Sequence, residues 1–308
     1  MKKTIVITGA TGFIGGELGR FFLNKEYHVK GFTRSPENTK KLESLGIHPV
    51  LWDTQSLTGW ETELENTDAV INLAGENIAA GRLSDQKKKR ILNSRVDSVK
   101  ILVQALEQVK NKPEVVVQAS GIGFYGSRND EELQENAPPG QGILAGAVKQ
   151  WEDCANAVEK TGTRLVILRL GMVLGKDKGA LERMAMPFRF FIGGPLGSGK
   201  QWMSWVHILD ATRAIDFLIS HKKCSGIYNL TAPQPVRNKE FARSLGNVLH
   251  RPSFFPVPGF MLKLVLGEIA EELLLTSQRV LPTRLLQEGF TFDYPHLKPA
   301  LNDLLINN

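Results

Sequence analysis

The chain has 308 residues, of which 42% are hydrophobic, enough to bury a sizeable core in one large domain or in a domain with a second lobe. Its 38 basic and 32 acidic side chains leave a net charge of +6, and the basic ones are dispersed except for KKKR at 87–90. With no aromatic residues interleaved, that run reads as a solvated helix face. A nucleic-acid surface is therefore not expected, whereas small anionic ligands are compatible with the charge.

Cys154 and Cys224 are the two cysteines, and neither has a second Cys or a His at metal-ligand spacing. Both read as free packing thiols in a reducing compartment, with no metal site implied. The amino terminus, MKKTIVITGATGFIGGELG, opens like an export signal, but its apolar run is only about five residues and is broken by Thr8, Gly9 and Thr11. It reads as a strand. The segment FMLKLVLGEIAEELLL at 260–275 carries Lys263, Glu268, Glu271 and Glu272 and cannot span a bilayer. The expectation is a cytoplasmic protein with a small-molecule substrate and no membrane partner, compatible with a homodimer.

From residue 4 the chain alternates short β-branched runs with longer amphipathic segments. The runs are TIVIT (4–8), HVKGFT (28–33), HPVLW (48–52), DAVINLA (68–74), EVVVQAS (114–120) and RLVILRL (164–170). Near-continuous apolar runs mean strands covered on both faces, as in a parallel sheet. Between them, GFIGGELGRFFLNKE, SPENTKKLESL, SDQKKKRILNSRVDSVKILVQALEQVK and GILAGAVKQWED have helical spacing. This predicts an α/β fold with a doubly wound, Rossmann-type parallel sheet over 1–175. After it, Gly- and Pro-rich loops mix with helices near 208–220, 238–249 and 259–276, predicting a smaller C-terminal substrate lobe over 176–308, with 206–230 returning to the first domain.

The strand TIVIT runs directly into Gly9-Ala-Thr-Gly12-Phe-Ile-Gly15 and then a helix. Glycines at that spacing allow a tight turn, close approach of a pyrophosphate and packing of helix on strand, while the helix amino terminus offers free N–H groups to the anion. Gly9, Gly12 and Gly15, with Thr11 in the same turn, are thus candidate dinucleotide-binding residues. At the end of the second strand a carboxylate would accept the ribose 2′-hydroxyl of NAD; the chain has Thr33-Arg34-Ser35 there, and arginine suits a 2′-phosphate, so NADP is the expected cofactor. Trp52 and Asp53 close the third strand, where they could flank an adenine.

TGATGFIG (8–15), NLAG (72–75), QAS followed by FYG (118–126) and VHILDATRAI (206–215) together resemble the extended short-chain dehydrogenase/reductases. AGENIAAGR (74–82), SRV (94–96), GPLGSGKQWMSWVHILD (194–210), YNLTAP (228–233) and FTFDYPHLKPAL (290–301) resemble more closely a sugar-nucleotide-epimerase-like subgroup, with a family-specific, DUF1731-type segment over 250–300. The resemblance implies that Gly9, Gly12, Phe13, Ile14 and Gly15 line the pyrophosphate. It also implies that Thr33 and Arg34 hold the adenosine phosphate and that Leu73, Ala74, Gly75 and Glu76 run beside the cofactor.

Active members of that superfamily carry Tyr-x-x-x-Lys on a helix, the lysine lowering the phenol's pKa so that the tyrosine exchanges a proton with a substrate hydroxyl. The corresponding helix is 142–153, and counting back from Glu152 places Val148 and Leu144 at the two positions. Shifting by one to use Lys149 brings in Ala145, which has no proton to give. The serine expected four residues before Tyr125 falls on Gly121, with Ser120 beside it. Tyr125 and then Ser120 remain the candidate catalytic groups, Tyr125 being equally readable as a pocket wall. Tyr294 and Lys298 have the bare spacing but lie far past the sheet and read as a structural tail.

GPLGSGKQ at 194–201 matches G-x-x-x-x-G-K, yet Gln201 stands where an ATPase loop needs Ser or Thr, so the stretch reads as a substrate-side loop. Trp202 and Trp205 after it are candidates for a substrate wall, with a core role equally open. His207 and Asp210 read as organising a helix start rather than as acid/base groups. Two functions follow: an NADP(H)-dependent epimerase or reductase acting on a hydroxyl- or carbonyl-bearing small molecule such as a nucleotide sugar, or a non-catalytic NADP(H)-binding redox sensor or regulator.

Overall fold

The computed structural model describes residues 2–76, 85–176, 178–266 and 274–306. Seven strands form one parallel sheet: β1 (Thr4–Thr8), β2 (His28–Thr33), β3 (His48–Leu51), β4 (Ala69–Asn72), β5 (Val115–Gly121), β6 (Arg164–Leu170) and β7 (Gly226–Leu230). Their order is β7-β6-β5-β4-β1-β2-β3. Both faces of the sheet are covered, which is why the strands read as unbroken apolar runs. Ile5 and Ile7 pack toward α1 (Phe13–Asn24), α2 (Glu37–Glu43) and α6 (Ile208–Ser220), among Leu18, Phe22, Leu42, Ala214 and Ile215. Val6 points the other way, into the layer of Val99, Leu102 and Leu106 on α3 (Asp85–Gln108) and Trp151 and Ala155 on α4 (Ile143–Ala155).

The expected strands and helices of the first 170 residues are present, and β7 returns to extend the sheet beside β6. Trp52 is corrected to a core residue: it is buried, edge-on to Phe32 and Trp60 at centroid distances of 5.7 and 5.4 Å, and unavailable to an adenine. Asp53 instead accepts the amides of Gln55 and Ser56 in a turn.

A second core joins α5 (Gly179–Arg189), α7 (Asn238–Leu249) and α9 (Leu297–Leu305) around Leu181, Trp205, Phe241 and Leu301. The helix expected at 259–276 is seen as α8 (Gly259–Leu266); residues 267–273 lie outside the described residues, as does the 77–82 part of AGENIAAGR. Short two-stranded pairings lie outside the seven-stranded sheet: Trp205–His207 with Met172–Gly175, Trp202–Met203 with Val236–Arg237, and Arg279–Val280 with Glu132–Leu133. No described helix is long and apolar enough to cross a membrane.

Candidate functional site

The carboxyl ends of β1, β4 and β5 carry a polar row set by register. Thr8 pairs with Asn72, and Asn72 with Gln118, so the three side chains share one face. Thr8 Oγ1 donates to Asn72 Oδ1 at 2.6 Å, and Asn72 Nδ2 donates to Gln118 Oε1 at 2.8 Å. Thr8 Oγ1 also accepts the amides of Leu73 and Ala74, each at 3.1 Å, fixing the turn that leaves β4. These groups were absent from the sequence-based candidates because a row of neutral side chains on three strands becomes a unit only once the register is known.

Gly9 has φ of +68°, and a Cβ there would lie 2.9 Å from Leu73 O. At Gly15 a Cβ would meet Gly9 O at 2.3 Å, so the helix can rest on the turn only without a side chain. Gly12 opens α1 in an extended conformation and no side chain caps the helix. The first turn also holds no acidic residue, so its amides and the positive end of the helix dipole face outward and suit a pyrophosphate. Thr11 O accepts Lys41 Nζ from α2 at 3.5 Å, placing a cation beside the loop. The Phe13 ring lies against Gly175 and Gly179. Thr33 is buried and holds Ser35 N through its hydroxyl, while Arg34 is exposed at the end of β2.

On the far side of β1, Glu76 N donates to Ser94 Oγ at 3.0 Å. Gly75 lies against the Arg95 guanidinium, and a Cβ at Gly75 would come within 3.0 Å of Arg95 Cζ.

Beyond β5 the arrangement corrects one expectation. Tyr125 is fully buried, its hydroxyl donating to Asn229 Oδ1 at 2.7 Å and accepting Arg169 Nη1 at 2.9 Å. Burial raises the phenol above its ordinary pKa, with the Arg169 cation working against that shift. A phenol sealed in this way holds the core together and has no route to a substrate proton. Ser120 is 4% exposed and donates to Glu152 Oε1 at 2.6 Å, so its oxygen keeps acceptor capacity while its proton is engaged.

Leu144 and Val148 fall where the tyrosine and lysine were sought. A Cβ at Gly123 would lie 3.1 Å from Leu144 Cδ2 and 3.8 Å from Val148 Cγ2. Both belong to an apolar cluster with Phe124, Leu133 and Val280. Lys149 points outward and pairs with Asp153.

The Gly-rich loop at 194–201 uses its own polar groups internally. Leu196 N donates to Asn238 Oδ1, Gly197 N to Val257 O and Gly199 N to Leu196 O, and the buried Gln201 amide donates to the Leu196 and Leu274 carbonyls. It is not a phosphate cradle. Trp205 is likewise corrected from substrate wall to core: it is fully buried, with Nε1 donating to Gln234 O at 3.2 Å. Trp202 is half-buried beside the guanidiniums of Arg237 and Arg279, at 4.2 and 4.7 Å, and its Nε1 donates to Asp130. His207 caps α6, its Nδ1 accepting Leu209 N at 3.1 Å. Asp210 in the first turn accepts the amides of Asp293 and Tyr294, and Tyr294 stacks on His207 at 3.9 Å. The histidine, the aspartate and the tyrosine of the tail are therefore structural.

Residues 5–231 match the NAD dependent epimerase/dehydratase family, and residues 257–304 match a domain of unknown function, DUF1731. An epimerase family protein of Staphylococcus haemolyticus is 39% identical over 304 residues, covering 98% of this chain and 99% of the relative. The chloroplastic SDR39U1 homolog of Arabidopsis thaliana, also named an epimerase family protein, is 38% identical, over 99% of this chain and 87% of its own. Among solved structures, human epimerase family protein SDR39U1 (isoform 2), crystallised with NADPH, superposes with a TM-score of 0.87 at 31% identity, over 98% of both chains. A nucleoside-diphosphate sugar epimerase from Corynebacterium glutamicum gives 0.78 at 27% identity, over 99% of this chain and 58% of its own. With a family match over 227 residues and relatives spanning almost its whole length, the chain belongs to the NAD dependent epimerase/dehydratase family.

Proposed function

We propose that the protein binds NADP(H) and acts on a hydroxyl- or carbonyl-bearing small molecule, a nucleotide sugar being one such substrate, without a tyrosine–lysine pair. The observation that carries this reading is the uncapped amino terminus of α1 above a turn that admits only glycine, with Arg34 and no carboxylate ending β2. In this reading the Gly9–Gly15 amides receive the pyrophosphate, Thr33 and Arg34 receive the 2′-phosphate, and Leu73 to Glu76 border the nicotinamide half. The human relative's NADPH supports it.

When bound, NADP(H) supplies hydride donation or acceptance at the nicotinamide. The chain's own part is to bind, orient and keep water out: Thr8 fixes the Leu73–Ala74 turn, and Leu144 and Val148 present an apolar wall. Ser120 is the remaining candidate polar contact at this end of β5, as an acceptor for a substrate hydroxyl; with its proton committed to Glu152 it orients rather than protonates. We further propose a nucleotide-binding part ending near 175 and a substrate lobe after it.

The sealed Tyr125 favours a second reading, in which the same cofactor site serves a non-catalytic redox sensor. Titrating NADPH and NADH into wild type and Arg34→Ala tests the cofactor assignment. Wild type is expected to prefer NADPH by tenfold or more and the variant to lose that preference; an NADH preference in wild type sinks it. Following absorbance near 340 nm against carbonyl compounds and nucleotide sugars separates the two functions, since a sensor turns over none of them.

A further inference from the structure

Arg34 and Arg95 stand on opposite sides of the glycine turn. Arg34 follows β2, one neighbour of β1, whereas Arg95 on α3 lies against Gly75, which follows β4, the other neighbour. A dinucleotide laid over the turn with its adenosine at β2 therefore points its nicotinamide half toward Arg95. The Arg95 side chain is half-buried, its Cζ, Cγ and Nε all within 3.0–3.2 Å of where a Gly75 Cβ would sit. Its guanidinium lies 5.2 Å from the Trp151 ring centre, on the turn of α4 after Val148. The cation thus occupies the seam between the β4 turn and the helix that lacks the tyrosine and lysine.

Arginine carries five N–H donors. Among the described residues Arg95 uses one hydrogen bond, from Nη1 to Ile91 O at 3.0 Å. The neighbouring carboxylate, Glu76, is ion-paired to Arg90 at 3.4 Å and reaches Arg95 only through its field. Burial lowers the guanidinium's pKa to about 10, which still leaves it charged at neutral pH. A partly desolvated cation costs free energy unless an anion meets it. A planar fork with spare donors matches the two oxygens of a carboxylate or phosphate.

We propose that Arg95 is a recognition group for an oxyanion, a carboxylate or phosphate, at the nicotinamide end of the cleft. The assignment rests on the NADP(H) reading for its orientation. The oxyanion has two possible sources, the cofactor's nicotinamide-side phosphate or an anionic group on the substrate, and the experiment separates them.

Wild type, Arg95→Met and Arg95→Lys are compared. The methionine keeps the apolar packing on Trp151 without donors, and the lysine keeps the charge without the fork, so a folding defect in one leaves the other. Three ligands are titrated: adenosine 2′,5′-bisphosphate, which lacks the nicotinamide half; NADPH; and inorganic phosphate or acetate added to free and NADPH-loaded protein, read by tryptophan fluorescence. The bisphosphate is expected to bind all three proteins alike. If the substrate supplies the anion, Arg95→Met weakens phosphate or acetate binding tenfold or more and leaves NADPH affinity intact, with Arg95→Lys intermediate. If the cofactor supplies it, Arg95→Met weakens NADPH tenfold while the bisphosphate is unchanged. Unaltered affinity for NADPH, phosphate and acetate in folded variants overturns the proposal, as does no phosphate or acetate response in wild type with NADPH unaffected. Failure of wild type to bind the bisphosphate or NADPH overturns the cofactor reading instead, and the anion titration of free protein still reports on Arg95.

Discussion

Glu152 of α4 and Arg169 of β6 meet through two parallel hydrogen bonds, Nε to Oε1 at 2.9 Å and Nη2 to Oε2 at 2.8 Å. Their side chains are 6% and 2% exposed. Further partners meet both charges: Ser120 supplies another donor to Glu152, and Arg169 Nη1 donates to Tyr125 and Glu135 O. Removing one member leaves the other charge stranded. Glu152→Gln is expected to cost about 3–5 kcal/mol in urea unfolding. Pairing Arg169→Met with Glu152→Leu should recover part of that loss, and a double variant no better than the single would contradict this account.

Tyr125→Phe tests whether the phenol is structural. The variant leaves Asn229 Oδ1 and one Arg169 hydrogen without their partner, an expected loss of about 1–3 kcal/mol. NADPH affinity should stay within twofold of wild type. Unchanged stability with lost turnover of an identified substrate would return Tyr125 to catalysis.

Installing the absent pair should not create an enzyme of the usual kind. Leu144→Tyr pushes a larger ring toward Gly123, where even an added Cβ would lie 3.1 Å from the Leu144 side chain, an overpacking cost of about 1–3 kcal/mol. Val148→Lys places an ammonium among Phe124, Leu133 and Val280. The double variant is expected to melt well below wild type and to gain no activity; a stable, newly active double variant would show that this pocket accepts the chemistry.

His207 gives a pH signature. Burial lowers its pKa below 6.5, against the pull of Asp303, Asp210 and Asp293. Because the unfolded chain takes up that proton first, stability should fall as the pH drops from about 6.5 toward the lower folded value and level off below it. Protonation also removes the Nδ1 acceptor that caps Leu209 N. His207→Asn keeps a capping oxygen and has nothing to titrate, so its urea midpoint should show a shallower decline between pH 7 and 5 than wild type. Equal slopes would assign the decline to other groups.

Much of the sheet was legible because its strands are buried on both faces, and an unbroken β-branched run such as EVVVQAS is how such a strand is written. The glycine turn was legible because Gly9 and Gly15 are required by the backbone itself. So was the capping role of His207, since a cap is a local feature, whereas the partners of Asp210 lie 83 and 84 positions away and only the fold brings them together. Tyr125 and Trp205 were ambiguous: a large polar aromatic near a cleft and one in the core look alike until Asn229, 104 positions away from Tyr125, is seen to take its hydrogen. The Thr8–Asn72–Gln118 row was invisible as a group because neighbours across strands are set by register, and the place of Arg95 was invisible because only the fold brings α3 against Gly75. Helices α5 and α9 were missed amid Pro- and Gly-rich surroundings; their buried faces match a core that only the fold assembles.

The amides of Asp293 and Tyr294, both held by Asp210, act as a clasp joining the end of the chain to α6. With α9 packed on α7 as well, the last segment is retained by contacts that owe nothing to the backbone preceding it. Phe254, Phe260 and Leu264 are exposed and offer chymotrypsin an entry point upstream of the clasp. A single cut there should yield two bands on a denaturing gel and one peak in native size exclusion, the nicked molecule persisting as a two-piece complex.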